Sequence, residues 1–517
     1  MTTHIDHTHI QREVAKYYRY ATLSHTWEDN EPLFGEVVLV YDHEQSPTRD
    51  KLQMFCKIVQ DAGFHWAWSD TCCINKADEI VLQEALVAMF KWYQGSSLTI
   101  IFLRGVRSPS QRGDLVKSIW NRRAWTFQEY HASKVVRFYT EDWTPYLNLD
   151  IPNHKESDEV ISEMEEATGV SAQALTGLRP GLDDIREKLC LASRRETTYV
   201  EDAAYSLLGI FSVSMSIVYG DGDKALGRLL TQLLASSGDS SILAWTGVSG
   251  SFNSCLPASI TVFSQSLASY IPQAITGAEM ETITDGLRAS SLNLSLVTKL
   301  YDRLVELRVP SFGTKHLSLP CIVFELGPLS VSRSRSVRVF RAQTAALGIV
   351  EIRTEEDLSR FDSLCLVHPW IDFLLDRQPV GNVIEAIPEE AMDDQFSSIG
   401  EPPSFPGSSN ISSSALPTRT KRLVSRLVRP FSGPTPPAEA SSLKAPSSLS
   451  RTDKQLRALQ VIARLRQPFG ALLLTPTRNV EEYRRVASDS LITVQVEVLT
   501  PTVLDELRRS VHVLDVL

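Results

Sequence analysis

Asp70 stands in Trp66-Ala-Trp-Ser-Asp-Thr-Cys-Cys-Ile-Asn-Lys76, at the end of a short apolar run. A carboxylate at the end of a buried strand needs a partner, because an unpaired buried charge is costly. Arg123 is the partner expected. Their pairing either ties two loops together or positions a ligand, and the sequence leaves both open. Ser24 beside His25 suggests a nucleophile and its base, yet neighbours on a strand point to opposite faces, which prevents a triad-like pair. Cys72 and Cys73 offer redox or metal-binding chemistry. No second cysteine pair exists to complete a zinc site, so both are expected as buried thiols packed under the loop. Trp27, Trp68 and Trp125 could stack a nucleotide base, although tryptophans at this density favour core packing. Thr126 and Glu129 have the spacing of a capping box, which accounts for them without chemistry and leaves Arg122 and Arg123 unexplained.

These residues need a scaffold, and the hydrophobic pattern supplies one. Phe64 to Trp68 has the length and texture of a buried strand, and Leu82, Ala85, Leu86, Met89 and Phe90 recur at helical spacing. The loop between them, Ser69 to Lys76, carries Asp70 and Asn75. Tyr20-Ala-Thr-Leu-Ser24 breaks into His25-Thr-Trp-Glu-Asp29, and Leu98-Thr-Ile-Ile-Phe-Leu103 breaks into Arg104-Gly105. Lys51 to Asp61 is an amphipathic helix with Leu52, Phe55, Cys56 and Val59 on one face. The resulting βαβ order implies parallel strands with right-handed crossovers. In an open α/β sheet, ligands and partners meet the carboxyl ends of the strands, where these loops lie. Val135 to Tyr139 is the expected last strand of this region.

Helical patterns follow at Val160 to Ala167, Ala172 to Leu178 and Asp184 to Ala192. Thr198-Tyr-Val-Glu201 is a second capping-box spacing, opening a helix from Ala203 to Phe211. Tyr219-Gly-Asp-Gly-Asp-Lys224 is a turn with Asp223 as N-cap to a helix Ala225 to Ala235, since its aspartates would repel a phosphate. Beyond Trp245, Leu317 to Leu326, Ser336 to Arg341 and Gly348 to Arg353 mark a mostly β region.

The expected organisation is 1–145 for the parallel sheet and 146–250 for a helical extension. A β-rich domain covers 251–395, and an α+β segment at 451–517 completes it. Between them, 396–450 is a disordered Ser/Pro-rich insert containing the basic, amphipathic stretch Lys421 to Arg429, expected as a solvated linker. His4, His7 and His9 lie in a polar terminus that is not expected to order a metal site.

The bulk properties narrow the function. A chain of 517 residues exceeds one core, and its formal net charge of -10 argues against dedicated nucleic-acid binding. Hydrophobic content of 43% with 22% charge is ordinary for a soluble protein. No apolar run approaches the roughly 18 residues of a membrane span, and the polar start lacks a signal-peptide core. Seven scattered cysteines do not form a secreted disulfide frame, so a cytoplasmic location is expected.

Three blocks resemble a known family. Tyr20-Ala-Thr-Leu-Ser-His-Thr-Trp27, Trp68-Ser-Asp-Thr-Cys-Cys-Ile-Asn-Lys76 and Arg123-Ala-Trp-Thr-Phe-Gln-Glu129 are similar, in order and spacing, to the three motifs of the fungal heterokaryon incompatibility (HET) domain. Arg195 to Phe211, with Tyr219-Gly220 and Ala244-Trp245, resembles the helical extension of mushroom-type members. The resemblance implies a fold related to Toll/interleukin-1 receptor (TIR) domains and a cytosolic effector of non-self recognition that provokes cell death. It implies a protein partner or self-association through the HET domain. Some TIR domains instead hydrolyse NAD with a helix-borne glutamate. Relatives commonly carry that glutamate where this chain has Val81, leaving Glu84 or Glu79 as the carboxylate, with Arg123 binding phosphate and Trp68 or Trp27 stacking a base. On the resemblance, Ser24, His25, Trp27, Trp68, Asp70, Asn75, Arg123, Trp125 and Glu129 are the ligand-binding or structural motif residues, and NAD is the possible substrate.

Overall fold

The computed structural model describes residues 13–29, 31–36, 47–264, 282, 285–287, 291–307, 310–313, 315–334, 337–369, 451–479 and 481–517. His4, His7, His9 and the 396–450 insert lie outside the described residues. The chain is a mixed α/β protein with a parallel sheet flanked by helices and a mostly β carboxyl-terminal region.

The parallel sheet is built from β1 (Tyr20–Ser24), β2 (Trp66–Trp68), β3 (Leu98–Leu103) and β4 (Val136–Thr140), in the order β2-β1-β3-β4. Helix α1 (Pro47–Asp61) links the first two strands and α2 (Glu79–Gly95) the next two. Strand β3 is buried along its whole length, as a strand covered on both faces must be. Its residues alternate. Leu98, Ile100 and Phe102 pack with Ala21, Leu23 and the Leu52–Phe55–Val59 stripe of α1. Ile101 and Leu103 face Leu86, Phe90 and Phe127 on the other side. The β2 ladder begins at Trp66 rather than Phe64, because the Phe64 amide is spent on the Val59 carbonyl in the turn that follows α1.

Three short helices bridge β3 and β4: α3 (Asp114–Lys117), α4 (Ile119–Arg122) and α5 (Trp125–Ala132). Then come α6 (Asp158–Thr168), α7 (Ala172–Gly177) and α8 (Ile185–Ser193). The single helix expected over Ala203–Phe211 is two, α9 (Asp202–Tyr205) and α10 (Leu208–Phe211). Its expected capping box does not form. Glu201 instead accepts the amides of Gly220 and Gly222, at 2.7 and 2.9 Å, and so fixes the turn before α11 (Lys224–Ser237). Asp223 occupies the N-cap position of α11 but makes no cap bond, its carboxylate accepting from Ser251 at 2.5 and 2.7 Å. Both acids clamp loops instead of ending helices. At Gly209, α10 approaches α2 so closely that a Cβ would collide with Phe90.

The β region uses α12 (Ser291–Val305), β5 (Ser311–Phe312), β6 (Leu317–Glu325), β7 (Ser330–Ser334), β8 (Val337–Thr344), β9 (Gly348–Thr354) and β10 (Cys365–Pro369). It is completed by α13 (Arg451–Leu465), β11 (Phe469–Pro476), β12 (Glu482–Val486), β13 (Ile492–Val494), α14 (Pro501–Arg509) and β14 (Val511–Val516). The larger sheet runs β10-β11-β12-β14-β6-β5, with β13 beside β11, while β7, β8 and β9 form a separate meander. Leu317, Leu319, Cys321 and Val516 from this sheet share one core with the α8–α11 helices. Arg485 clasps the two together. Its buried guanidinium lies 3.8 Å above the Trp245 ring and donates to the carbonyls of Leu243 at 2.8 Å and Trp245 at 2.7 Å.

Replacing Arg485 with Ala would strand those carbonyls and leave Trp245 uncovered. Arg485→Ala is expected to cost about 3 kcal/mol, read as a lowered urea midpoint. Arg485→Lys should recover little of it, since an ammonium cannot reproduce the planar fork.

Candidate functional site

Ser24 ends β1 and His25 follows it, their side chains turned to opposite faces of the sheet as alternation along an extended chain dictates. Each enters a separate buried polar cluster. On the α2 side, Ser24 Oγ accepts the Trp120 indole N–H at 2.8 Å and donates to Glu129 Oε2 at 2.5 Å. Tyr93, from α2, bonds the same carboxyl and donates to the Leu23 carbonyl at 2.8 Å. Glu129 is buried, and burial pushes its pKa up to about 8, with the Asp70 charge adding to the rise. At neutral pH it is therefore largely protonated. The donors then run in one direction: Trp120 to Ser24, Ser24 to Glu129, and Glu129 to Tyr93, which passes its own proton to Leu23. Arg195, nearby and buried, holds the loop before α5 by donating to the Arg123 carbonyl and Thr126 Oγ1, each at 3.0 Å.

On the α1 side, His25 Nε2 lies 3.7 Å from Glu31 and 4.0 Å from Asp70, with no hydrogen-bond partner for either ring nitrogen among the described residues. Burial drives its pKa well below the ordinary value, and the charges of Lys51 and Lys76 push the same way. It is a neutral imidazole sealed from solvent. Lys51 bridges Glu28 at 3.0 Å and Glu31. Asp70 accepts the Trp27 indole N–H at 2.7 Å, and burial raises its pKa to about 6. The Lys76 ammonium sits 3.4 Å over the Trp27 ring and faces the Asp70 charge.

The expected Asp70–Arg123 pair is thus not made. Arg123 donates to Thr198 at 3.0 Å and its charge acts on Asp202, which Trp125 also bonds, while Trp27 and Lys76 serve Asp70. Nor is the Thr126–Glu129 capping box made: α5 has no side-chain cap, and Thr126 Oγ1 donates to the Trp120 and Arg123 carbonyls. Asn75 caps its own loop, accepting the Ala77 amide at 3.2 Å. Trp68 is core, stacked on Trp92, whereas Trp27 is half exposed. Glu84 and Glu79 are exposed positions of α2, and neither shares a hydrogen bond or ion pair with the buried clusters among the described residues. Lys51, Glu31, Tyr93, Trp120 and Arg195 are the partners that sequence reasoning missed. Lys51 carried a signal, standing one turn before Phe55 on the apolar side of its helix.

The two cysteines differ, contrary to the expectation that both are buried. Cys72 is buried and Cys73 exposed, with their sulfurs 4.0 Å apart. The bond from Cys72, helped by the Ser69 amide, lowers the Cys73 thiol to about 7, while that bond and burial raise Cys72. Among the described residues no group of three or more histidines, cysteines or acids is placed to hold a metal ion.

Two measurements follow from this geometry. A carboxyl raised on folding holds its proton between about pH 4.5 and 8, so its stabilising contribution is present below that window and lost as pH rises through it. Wild-type stability should fall across the window by on the order of 1–3 kcal/mol more than that of Glu129→Gln, an isostere that keeps the donor direction without titrating. Urea midpoints at pH 5 and pH 8 check this. In thiol titration with a disulfide reagent at pH 7, Cys73 should react about tenfold faster than the next cysteine, and Cys73→Ser should erase that phase.

Comparison with known proteins locates part of these clusters in a family region. Residues 20–113, from β1 through β3, match the family described as "Heterokaryon incompatibility protein (HET)"; the Arg123–Glu129 block lies beyond the match. The vegetative incompatibility protein HET-E-1 of Podospora anserina is 33% identical over 225 residues, covering 41% of this chain. That alignment spans 16% of the relative's length. No solved structure matches the chain. The stretch that delivers Ser24, His25, Trp27, Asp70 and Asn75 to one edge of the parallel sheet is thus a match to the heterokaryon incompatibility (HET) family.

Proposed function

We propose that this chain acts in vegetative incompatibility as a cytoplasmic signalling module, whose HET region meets a protein partner or a second copy and triggers cell death. The carrying observation is that the family match coincides with the strand ends at which the first two motif blocks interlock, through Trp27 and Asp70. The sheet order also supports the TIR-like relationship, since 2-1-3-4 is the start of a doubly wound arrangement.

A contact surface is available at the other, amino-terminal end of the same two strands. Tyr18 stacks on Trp66 with ring centroids 5.9 Å apart, Tyr17 meets the same ring edge-on, and all three are about half exposed. Trp66 opens β2, the outer strand of the sheet. Exposed aromatic groups on an outer strand favour protein contacts, where large rigid rings bury area at low entropic cost.

Inducible expression of the full chain in a filamentous fungus tests the reading. Vital-dye uptake by hyphal compartments is expected to rise well above the uninduced level. The double variant Tyr18→Ala, Trp66→Ala should accumulate equally and return uptake to background. A wild-type chain that accumulates in soluble form without any death would overturn the proposal.

A further inference from the structure

Arg122 was left without an account by the motif, and the structure gives it company. The end of α4, the end of α6 and the segment after α8 enclose a cavity of about 200 Å³. Arg122, Arg194 and Arg195 line it, together with Asn121, Thr168 and Glu196. The arginines are set by the backbone around them. The Arg122 carbonyl accepts the Glu196 amide at 2.5 Å, joining α4 to the Arg194–Glu196 segment. Arg194 lies against Gly169, where any Cβ would fall 2.8 Å from its Nη2. Arg195 is buried and fixed by the Arg123 carbonyl, Thr126 and Asn121, the last at 3.4 Å.

The charges in this cavity do not balance. Glu196 is the one carboxylate among its lining residues, and the carbonyl end of α6 adds only a partial negative charge. Three arginines line the cavity with them. The side chains of Arg122 and Arg194 have no hydrogen bond or ion pair among the described residues. Guanidinium forks match phosphoryl oxygens in geometry as well as charge. The volume falls below the roughly 300 Å³ at which pockets for whole drug-sized ligands begin, which suits a phosphate or diphosphate group better than a complete dinucleotide.

We propose that this arginine-lined cavity is a binding site for a phosphoryl anion, free or carried on a small molecule. The site meets the Ser24–Glu129 cluster at Arg195 alone and does not rest on the incompatibility reading. Arg195 is its floor, Arg122 and Arg194 its two arms.

The test is calorimetric titration of the full chain with inorganic pyrophosphate and, in a second arm, with ADP. Pyrophosphate should bind the wild type and weaken as salt is raised from 50 to 200 mM. Arg122→Ala and Arg194→Ala, both at exposed positions, should each lower affinity at least tenfold while leaving the melting temperature unchanged. Tighter binding of ADP would identify a nucleotide as the carrier; equal or weaker binding would identify the free anion. Absence of heat with folded wild type at millimolar pyrophosphate, or undiminished binding by the double variant, would overturn the site.

Discussion

Burial of the Glu129 carboxyl is the constraint on which the parallel-sheet region depends. A sheet covered by helices on both faces has no water to satisfy a polar group, so every such group must find its partner within the protein. Glu129 does so by taking one bond from β1 through Ser24 and one with α2 through Tyr93, while Trp120 supports Ser24 from α4. Three segments distant in sequence are held against one side chain. The raised pKa is the physical signature of that position, because neutrality spares the cost of an isolated buried charge.

The alternation of a single strand then divides the chemistry. Ser24 faces the Glu129 cluster, and His25, one residue later, faces Glu31 and Asp70 beneath α1. Motif residues adjacent in sequence therefore serve different faces. The family block is best understood as a double fastening in which one residue secures α5 and α2, and the next helps close the opposite side. Trp27 adds a third contact by reaching Asp70, so the first two motif loops are bonded to each other directly.

Elements were legible in the sequence where one local pattern decided them. The run Leu98-Thr-Ile-Ile-Phe-Leu103 and the amphipathic faces of α1 and α2 specify their own structure, and the βαβ order specifies parallel pairing. Partners were not legible, since they depend on which segments the crossover brings together. Asp70 was assigned to Arg123 by charge alone, but an indole N–H from the preceding motif was nearer and Arg123 was already engaged by Thr198. Capping-box spacing misled twice for one reason. Glu129 and Glu201 have the right offset from a threonine, yet each is drawn to more demanding partners: two buried hydroxyls for Glu129, and two turn amides for Glu201.

Arg195 shows how such a fastening acquires a second face. Its guanidinium is committed on one side to the Arg123 carbonyl and Thr126, which fixes the loop preceding α5, and its charge acts on Glu129. Burial lowers its pKa only to about 10, so it remains a cation at any physiological pH. A permanent buried charge beside a carboxyl that is largely neutral is not fully balanced from within the sheet. Arg195 also lines the cavity it shares with Arg122 and Arg194. One guanidinium thus fixes the loop before α5 and forms part of the cavity lining, while its charge acts on the buried carboxyl of Glu129.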